Sequence, residues 1–398
     1  MDSEVLEHAI ITDTGALAAF CERLAQAPFI TVDTEFLRES TFWAQLCLIQ
    51  IAGPDEAAII DPLAGGLDLA PFYTLMADER VLKVFHAARQ DIEIFVKQAG
   101  AVPRPIFDTQ IAAMVCGYGD QISYDQLVHR ITGHQLDKTS RFTDWSRRPL
   151  SPKQIVYAIA DVTYLRDVYL SLSAQLAKQG RSTWVAEEMA VLTDIATYRT
   201  HPEDAWQRLK MRVKKPRQFA ILQGLAAWRE REAQERDIPR GRVIKDEAIY
   251  EVALQQPRDA EALGRLRSIP RGFERSSVAR GILGVVEEAL ARPESELPRI
   301  PRQRPSPEYA SAAAELLKVL LKMVAEEHGV AARIVANSDD LERIAADDRA
   351  DVPALKGWRR QLFGEQALAM KRGDLALSMS PRGIVAVTFD RAASIAAE

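Results

Sequence analysis

Val32-Asp33-Thr34-Glu35-Phe36 places two acids inside an apolar run, and few local structures tolerate that. Phe29-Ile30-Thr31-Val32 reads as a buried β-strand, which Phe36-Leu37 extends. Strand side chains alternate faces, so Asp33 and Glu35 leave the strand on the same side. Two unpaired carboxylates there repel each other and resist desolvation. A divalent cation removes both problems, so the pattern predicts metal binding. A D-x-E alone also arises by chance in an acid-rich chain.

The surrounding sequence predicts a mixed sheet. Phe29–Phe36, Gln45–Ala52 and Ala57–Asp61 are strand-like runs joined by short turns, which favours an antiparallel meander. After them strands and helices alternate: helix Leu69–Met76, strand Val81–Phe85, helix Asp91–Lys97, strand Ile106-Phe107 and helix Thr109–Val115. That alternation implies parallel strands added to the meander. Beyond residue 180 helical patterns dominate: Trp184–Tyr198, Pro216–Gln234, Lys245–Gln255 and Ser276–Ala291, then Ala310–Glu327, Ser338–Ala345 and Val352–Leu368. In the Ala310–Glu327 helix, Leu316, Leu320, Met323 and Val324 read as its core face. Five prolines between Arg292 and Pro307 predict a stiff linker, and Gly383–Phe389 a strand or a loose tail.

With 398 residues and 47% hydrophobic content, the chain has room for two or three packed domains. The formal net charge of −5 does not announce a nucleic-acid partner, although local patches matter more than the sum. Cys21, Cys47 and Cys116 have neither disulfide-framework nor zinc spacing, and predict reduced thiols in a cytoplasmic protein. Asp2, Glu4 and Glu7 without a basic region argue against a signal peptide. No apolar stretch approaches the roughly 18–20 residues that span a bilayer. The expectation is a soluble cytoplasmic monomer with no membrane partner.

Two further acids extend the metal hypothesis. Asp91 follows Phe85-His86-Ala87-Ala88-Arg89-Gln90, where a strand hands over to a helix; a helix dipole also selects an acid at such a place. Asp161 lies in a helix begun by Ser151-Pro152, and its i, i+4 spacing puts Tyr157 on the same face.

Asp33, Glu35, Asp91 and Asp161 in this order, with Tyr157 four before the last, resemble the DEDD superfamily of 3′→5′ exonucleases, tyrosine subclass. Gln45-Leu46-Cys47-Leu48-Ile49-Gln50, Phe85-His86-Ala87, Phe107-Asp108-Thr109-Gln110, Leu136-Asp137-Lys138 and Asp144-Trp145-Ser146-x-x-Pro149-Leu150 look like bacterial ribonuclease D. Trp228-Arg229, Ile238-Pro239 and Val243-Ile244 are similar to its HRDC helical module, and Gly357-Trp358-Arg359 to a second one. The resemblance implies an α/β plus all-α chain. A ribonuclease H-like mixed-sheet exonuclease domain (1–205) precedes an HRDC domain (206–292), a Pro/Arg-rich linker (293–307), a second HRDC-like domain (308–380) and a tail (381–398).

The resemblance also implies a reaction. In 3′→5′ exoribonucleolytic hydrolysis, two Mg²⁺ or Mn²⁺ ions roughly 3.5–4 Å apart activate water and neutralise the leaving oxygen. Asp33 would bridge both ions, Glu35 and Asp91 complete the site, and Asp161 hold the ion nearer the nucleophile. Tyr157 would orient the water, because a phenol of ordinary pKa about 10 is a poor base. Phe36, Gln45, His86, Lys138 and Arg148 are candidate substrate contacts. RNA, tRNA precursors in particular, is the implied partner. A proofreading-type DNA exonuclease and a non-catalytic RNA-binding adaptor remain as alternatives. Between Gln207 and Glu247 twelve Lys/Arg face six Asp/Glu, the electrostatic footprint expected for a phosphate backbone. Truncation near residue 205 is accordingly expected to weaken binding and leave the chemistry intact.

Overall fold

The computed structural model describes residues 10–137, 139–141, 143–210, 213–301, 307–381 and 383–389. Six strands form one mixed sheet in the order β1-β4-β3-β2-β5-β6. Its centre is β2 (Phe29–Leu37), β3 (Gln45–Ala52) and β4 (Ala57–Ile60), an antiparallel meander as expected from the short connections. β1 (Ile10–Ile11) pairs parallel with β4, and β5 (Leu82–Phe85) and β6 (Ile106–Asp108) extend the other edge in parallel.

Strand alternation divides β2 between two layers. Ile30 and Val32 join a large apolar core with Phe72 of helix α2 (Ala70–Ala77) and Phe95 of α3 (Arg89–Ala99). Helix α1 (Thr14–Leu24) completes this layer with Leu17, Phe20, Cys21 and Leu24. Helix α4 (Thr109–Val115) follows β6 directly, with Asp108 as its N-cap. After α5 (Tyr124–Thr132) comes α6 (Pro152–Gln179), which packs across β2, β3 and β4 on the opposite face. There the Thr31 hydroxyl donates to the Val162 carbonyl at 2.7 Å. Ser151 and Gln154 form a capping box at the start of α6, and Pro152 occupies its first turn, so the sequence itself fixes where this helix begins.

Helix α7 (Ser182–Leu192) and the 3₁₀ turn Ile195–Tyr198 replace the single helix expected over Trp184–Tyr198. A helical unit follows: α8 (Pro216–Glu235), α9 (Arg240–Val243), α10 (Asp246–Gln255), α11 (Ala260–Gly264) and α12 (Ser277–Ala291). Its apolar core is separate from that of the sheet, with one intrusion: Phe42, from the loop between β2 and β3, is buried in it. The backbone N–H groups of Phe42 and Trp43 donate to the Asp237 carboxylate at 3.0 and 2.9 Å, and the Arg240 guanidinium lies over the Phe42 ring. The loop that leaves the acidic strand is thus clamped by the helical unit.

The last helices are α13 (Ala310–His328), α14 (Ala332–Val335), α15 (Ser338–Ala346), α16 (Gly357–Arg359) and α17 (Glu365–Arg372), the last two joined by a π-turn over Arg360–Gly364. Two expectations fail here. Leu316 is 55% exposed, because the buried stripe of α13 runs through Ala310, Ala314, Leu317, Leu321 and Val324. Val352–Leu368 is not one helix: a 3₁₀ turn over Pro353–Leu355 precedes Gly357, whose φ of +48° starts the helix afresh. These helices do not enclose a separate core either. Leu317, Leu320, Val324, Trp358 and Phe363 are continuous with the apolar core of the sheet.

The junction is close. Trp184 and Trp358 stack at 4.4 Å with rings 4° apart, and Arg359 pairs with Glu188. Ala331 N–H donates to the Met114 carbonyl at 2.8 Å, and Arg181 donates to the His328 carbonyl at 2.6 Å. At Gly117, with φ +85°, a β-carbon would lie 2.5 Å from the Gly329 carbonyl oxygen, so glycine is required for this approach. The chain then forms a hairpin of β7 (Leu375–Ser380) and β8 (Gly383–Thr388); the second strand falls in the segment read as strand or tail, while β7 was not anticipated. The rest of the expected tail, from residue 390, lies outside the described residues, as do linker residues 302–306.

Candidate active site

The acidic strand, the N-terminal end of α3 and one face of α6 meet at a cavity of about 450 Å³. Asp33 and Glu35, two apart on β2, face α6, and Asp161 on α6 faces back. Carboxylate oxygens of the three all lie within 4.8 Å of one another. Asp91 is buried at the first turn of α3 and stands beside this trio: it accepts a short hydrogen bond from the Thr34 hydroxyl, on the other face of β2. Its place depends on the turn before it. Ala87 adopts φ +61°, unusual for a residue with a side chain, and Asp108 accepts hydrogen bonds from the Ala87 and Ala88 N–H groups at 3.1 and 2.8 Å.

The electrostatics follow from this crowding. Burial pushes Asp33 up to about 6. Burial, then the neighbouring Asp33, Asp161 and Asp91, push Glu35 up to about 10, with Arg141 opposing. Asp161 and Asp91 are raised well above the carboxylate range, chiefly by burial and next by Asp33. The Tyr157 phenol is raised by burial and then by Asp161, so it keeps its proton near neutral pH more firmly than an isolated tyrosine. A compact set of desolvated carboxylate oxygens without histidine or thiol donors fits hard divalent cations.

A pH effect follows in the metal-free protein. The folded state holds protons on carboxyls that the unfolded chain releases at ordinary values of about 4. Stability from these groups is therefore complete below that pH and is lost as pH rises through about 6 for Asp33 and on toward about 10 for Glu35. Bound divalent cation opposes the loss. Melting temperatures between pH 5 and 9, in EDTA and in Mg²⁺, should diverge as pH rises; a constant or narrowing gap would contradict the carboxylate assignment.

The comparisons agree with this geometry. A 3′-5′ exonuclease family model matches residues 8–177, and an HRDC domain model matches residues 218–286. Ribonuclease D of Nitrobacter hamburgensis is 58% identical over 378 residues, covering 95% of this chain and 99% of that protein. Ribonuclease D of Bartonella henselae is 50% identical over 93% of this chain and 92% of its own length. The chain belongs to the ribonuclease D family. The crystal structure of Escherichia coli RNase D, described as an exoribonuclease involved in structured RNA processing, is similar with a TM-score of 0.81 and 31% identity. The match covers 92% of this chain and 98% of that one. Membership makes the protein a 3′→5′ exoribonuclease that uses divalent metal, with the mixed-sheet nuclease fold followed by helical units.

Not every residue expected at a ribonuclease D site is placed for that role. All five N–H groups of the Arg148 guanidinium are engaged: with both oxygens of Asp61 at 2.6 Å, and with the carbonyls of Trp145, Arg147 and Cys47 at 2.8 Å. No donor is left for phosphate, so Arg148 ties the 144–149 loop to the sheet, and its reading as a substrate contact is withdrawn. Phe36 is partly buried against the main core and Gln45 is exposed at the start of β3; neither lines the cavity, and the pairing register shifts between Glu35 and Phe36. Lys138 lies outside the described residues.

His86 does line the cavity. Its Nδ1 lies 3.0 Å from the Thr109 hydroxyl, which itself donates to the Phe85 carbonyl, so Nδ1 carries the proton. Nε2 is buried without a hydrogen-bond partner, and burial lowers the pKa of the ring. Sequence reading passed over Tyr124, whose hydroxyl donates to the Ala160 carbonyl at 3.1 Å and whose ring lies 5.5 Å from that of His86. Its signal was available in Ser123, the N-cap of α5. Arg141, read only as one of several loop cations, is the basic residue on the cavity wall.

The basic stretch 207–247 also changes meaning. Arg208 and Arg240 pair with buried Glu230, Arg229 with Asp246, Arg231 with Glu203 and Arg236 with Glu232. Part of the counted excess therefore holds the helical unit together. Lys210, Lys214, Lys215, Arg242 and Lys245 are exposed, and Arg212 lies outside the described residues.

Proposed function

We propose that this enzyme removes mononucleotides from RNA 3′ ends, tRNA precursors among them, as a cytoplasmic monomer. The convergence of Asp33, Glu35 and Asp161 oxygens within 4.8 Å, with Tyr157 one turn before Asp161, carries the reading. Asp33, Glu35 and Asp161 would hold one Mg²⁺ or Mn²⁺, and Asp33 with Asp91 a second. Two ions supply Lewis-acid activation of water and neutralise charge on the phosphodiester. Tyr157, kept protonated, orients the attacking water and does not deprotonate it. Arg141 faces the phosphate from the loop before α6, and Leu136 and Leu165 give the cavity an apolar side for a base or sugar. The exposed cations between 210 and 245 track the backbone upstream.

The division into an exonuclease domain to residue 205, an HRDC domain over 206–292 and a second HRDC-like unit over 308–380 belongs to the same proposal. The separate apolar core of α8–α12 supports the first helical unit. Three unpaired cysteines, Cys21 and Cys47 buried and Cys116 partly so, suit a reducing compartment. Among the described residues no helix is long and apolar enough to cross a membrane.

The test is digestion of 5′-labelled RNA and DNA oligonucleotides of one unstructured sequence, in Mg²⁺ and in EDTA. The expected result is a ladder of products shortened by single nucleotides from the RNA, absent in EDTA, with DNA cut more slowly. Preference for DNA would reverse the substrate assignment, and no metal-dependent release would remove the catalytic one.

A further inference from the structure

Gln50 sits in the middle of β3, fully buried, and neither its amide nitrogen nor its amide oxygen has a hydrogen-bond partner. Native cores seldom leave a side-chain amide in that condition, and each instance asks for an absent partner. The strand register supplies one. Gln50 is directly opposite Asp33 in the antiparallel pairing of β2 with β3. Opposed residues project from the same face, with Cβ atoms about 4.5–5.5 Å apart. A glutamine carries its amide two carbons beyond Cβ, so rotation of the two side chains brings Nε2 to the Asp33 carboxylate without backbone movement.

The neighbouring groups offer little else. On the same face, the Thr31 hydroxyl is committed to the Val162 carbonyl, and Gln50 is flanked on β4 by Ile59. A buried water would need two to four polar partners, and this surface is otherwise apolar: Leu48, Ile59 and Ala158 are all fully buried. Asp33 is the polar group that the register sets beside the amide.

We infer that Gln50 is a positioning residue for Asp33, its Nε2–H donating to the Asp33 carboxylate when that carboxylate turns onto a divalent cation. This rests on the reading of Asp33 as a metal ligand. A carboxylate that serves two ions must hold one orientation, and a donor on the side away from the ions fixes it. In the metal-free fold the amide waits unpaired. The arrangement trades stability of the empty protein for order in the loaded one.

That trade gives the experiment a sign that ordinary packing does not share. Gln50→Met removes the amide at nearly constant volume, and Gln50→Asn keeps the amide but shortens its reach by one methylene. Each full-length protein is compared with wild type by urea unfolding in EDTA and by calorimetric titration with Mn²⁺. Gln50→Met is expected to be at least as stable as wild type in EDTA, and both variants to bind Mn²⁺ about 10–100-fold more weakly. Wild-type affinity in both variants overturns the inference, as does a Gln50→Met protein that loses stability in EDTA and keeps its affinity. Wild type itself failing to bind Mn²⁺ would instead overturn the metal assignment on which the inference stands.

Discussion

Asp161→Asn should lower the rate of nucleotide release from an RNA 3′ end by at least about a thousandfold, ~4 kcal/mol of transition-state stabilisation. The change is small in volume, and Asp161 has no structural ion pair among the described residues to lose. What disappears is one of three converging carboxylates whose mutual repulsion the fold sustains. The variant should therefore melt at a higher temperature than wild type in EDTA while losing its response to Mg²⁺. Single-turnover digestion of a labelled oligonucleotide, together with melting curves in both conditions, checks both halves. Activity within a few-fold of wild type would remove Asp161 from the metal site. A lower melting temperature in EDTA would say that the crowded carboxylates stabilise the fold by some other route.

The second large effect is on stability. Trp358→Ala should cost about 3–5 kcal/mol, the range for deleting a large buried aromatic. Trp358 is 5% exposed, stacks on Trp184 and lies under the Arg359 guanidinium at 4.6 Å. The Arg359 pair with Glu188 is itself mostly buried, so loosening the ring also disturbs a pair with little access to water. Because Trp184 belongs to α7, the damage should spread to the nuclease side. Urea unfolding should show an earlier transition, and limited proteolysis should cut near α7 as well as beyond residue 310. A loss under about 1 kcal/mol, or cleavage confined to the last helices, would mean that the two parts are only loosely joined.

The sheet was legible because its strands are short apolar runs bounded by turn residues: β2, β3, β5 and β6 lie within two residues of the expected limits, and α4 coincides with them. The trio of Asp33, Glu35 and Asp161 was legible because strand and helix periodicities each fix a face. Arg148 was not. A guanidinium binds carboxylate and phosphate with the same geometry, and only the fold reveals that Asp61, 87 positions away, has taken it. Helix α1 carried a readable signal that was passed over, Asp13 as N-cap before apolar residues at 17, 20, 21 and 24. In α13 the choice of Leu316 over Leu317 as a core position reflects a stretch so rich in apolar residues that two stripes compete, and only the partner surface decides.

The proline-rich linker suggested that whatever follows it folds by itself, and composition cannot show otherwise. Since Leu317, Val324, Trp358 and Phe363 complete the same interior as Ile30, Phe72 and Phe95, shortening the chain near residue 205 does not liberate a smaller working nuclease. It opens a wound along α4 and α7. A shortened protein that turned over slowly would report misfolding as readily as lost grip on RNA. Charge reversals at exposed Lys214, Lys215 and Arg242 in the full-length chain are the cleaner way to separate holding the substrate from cutting it.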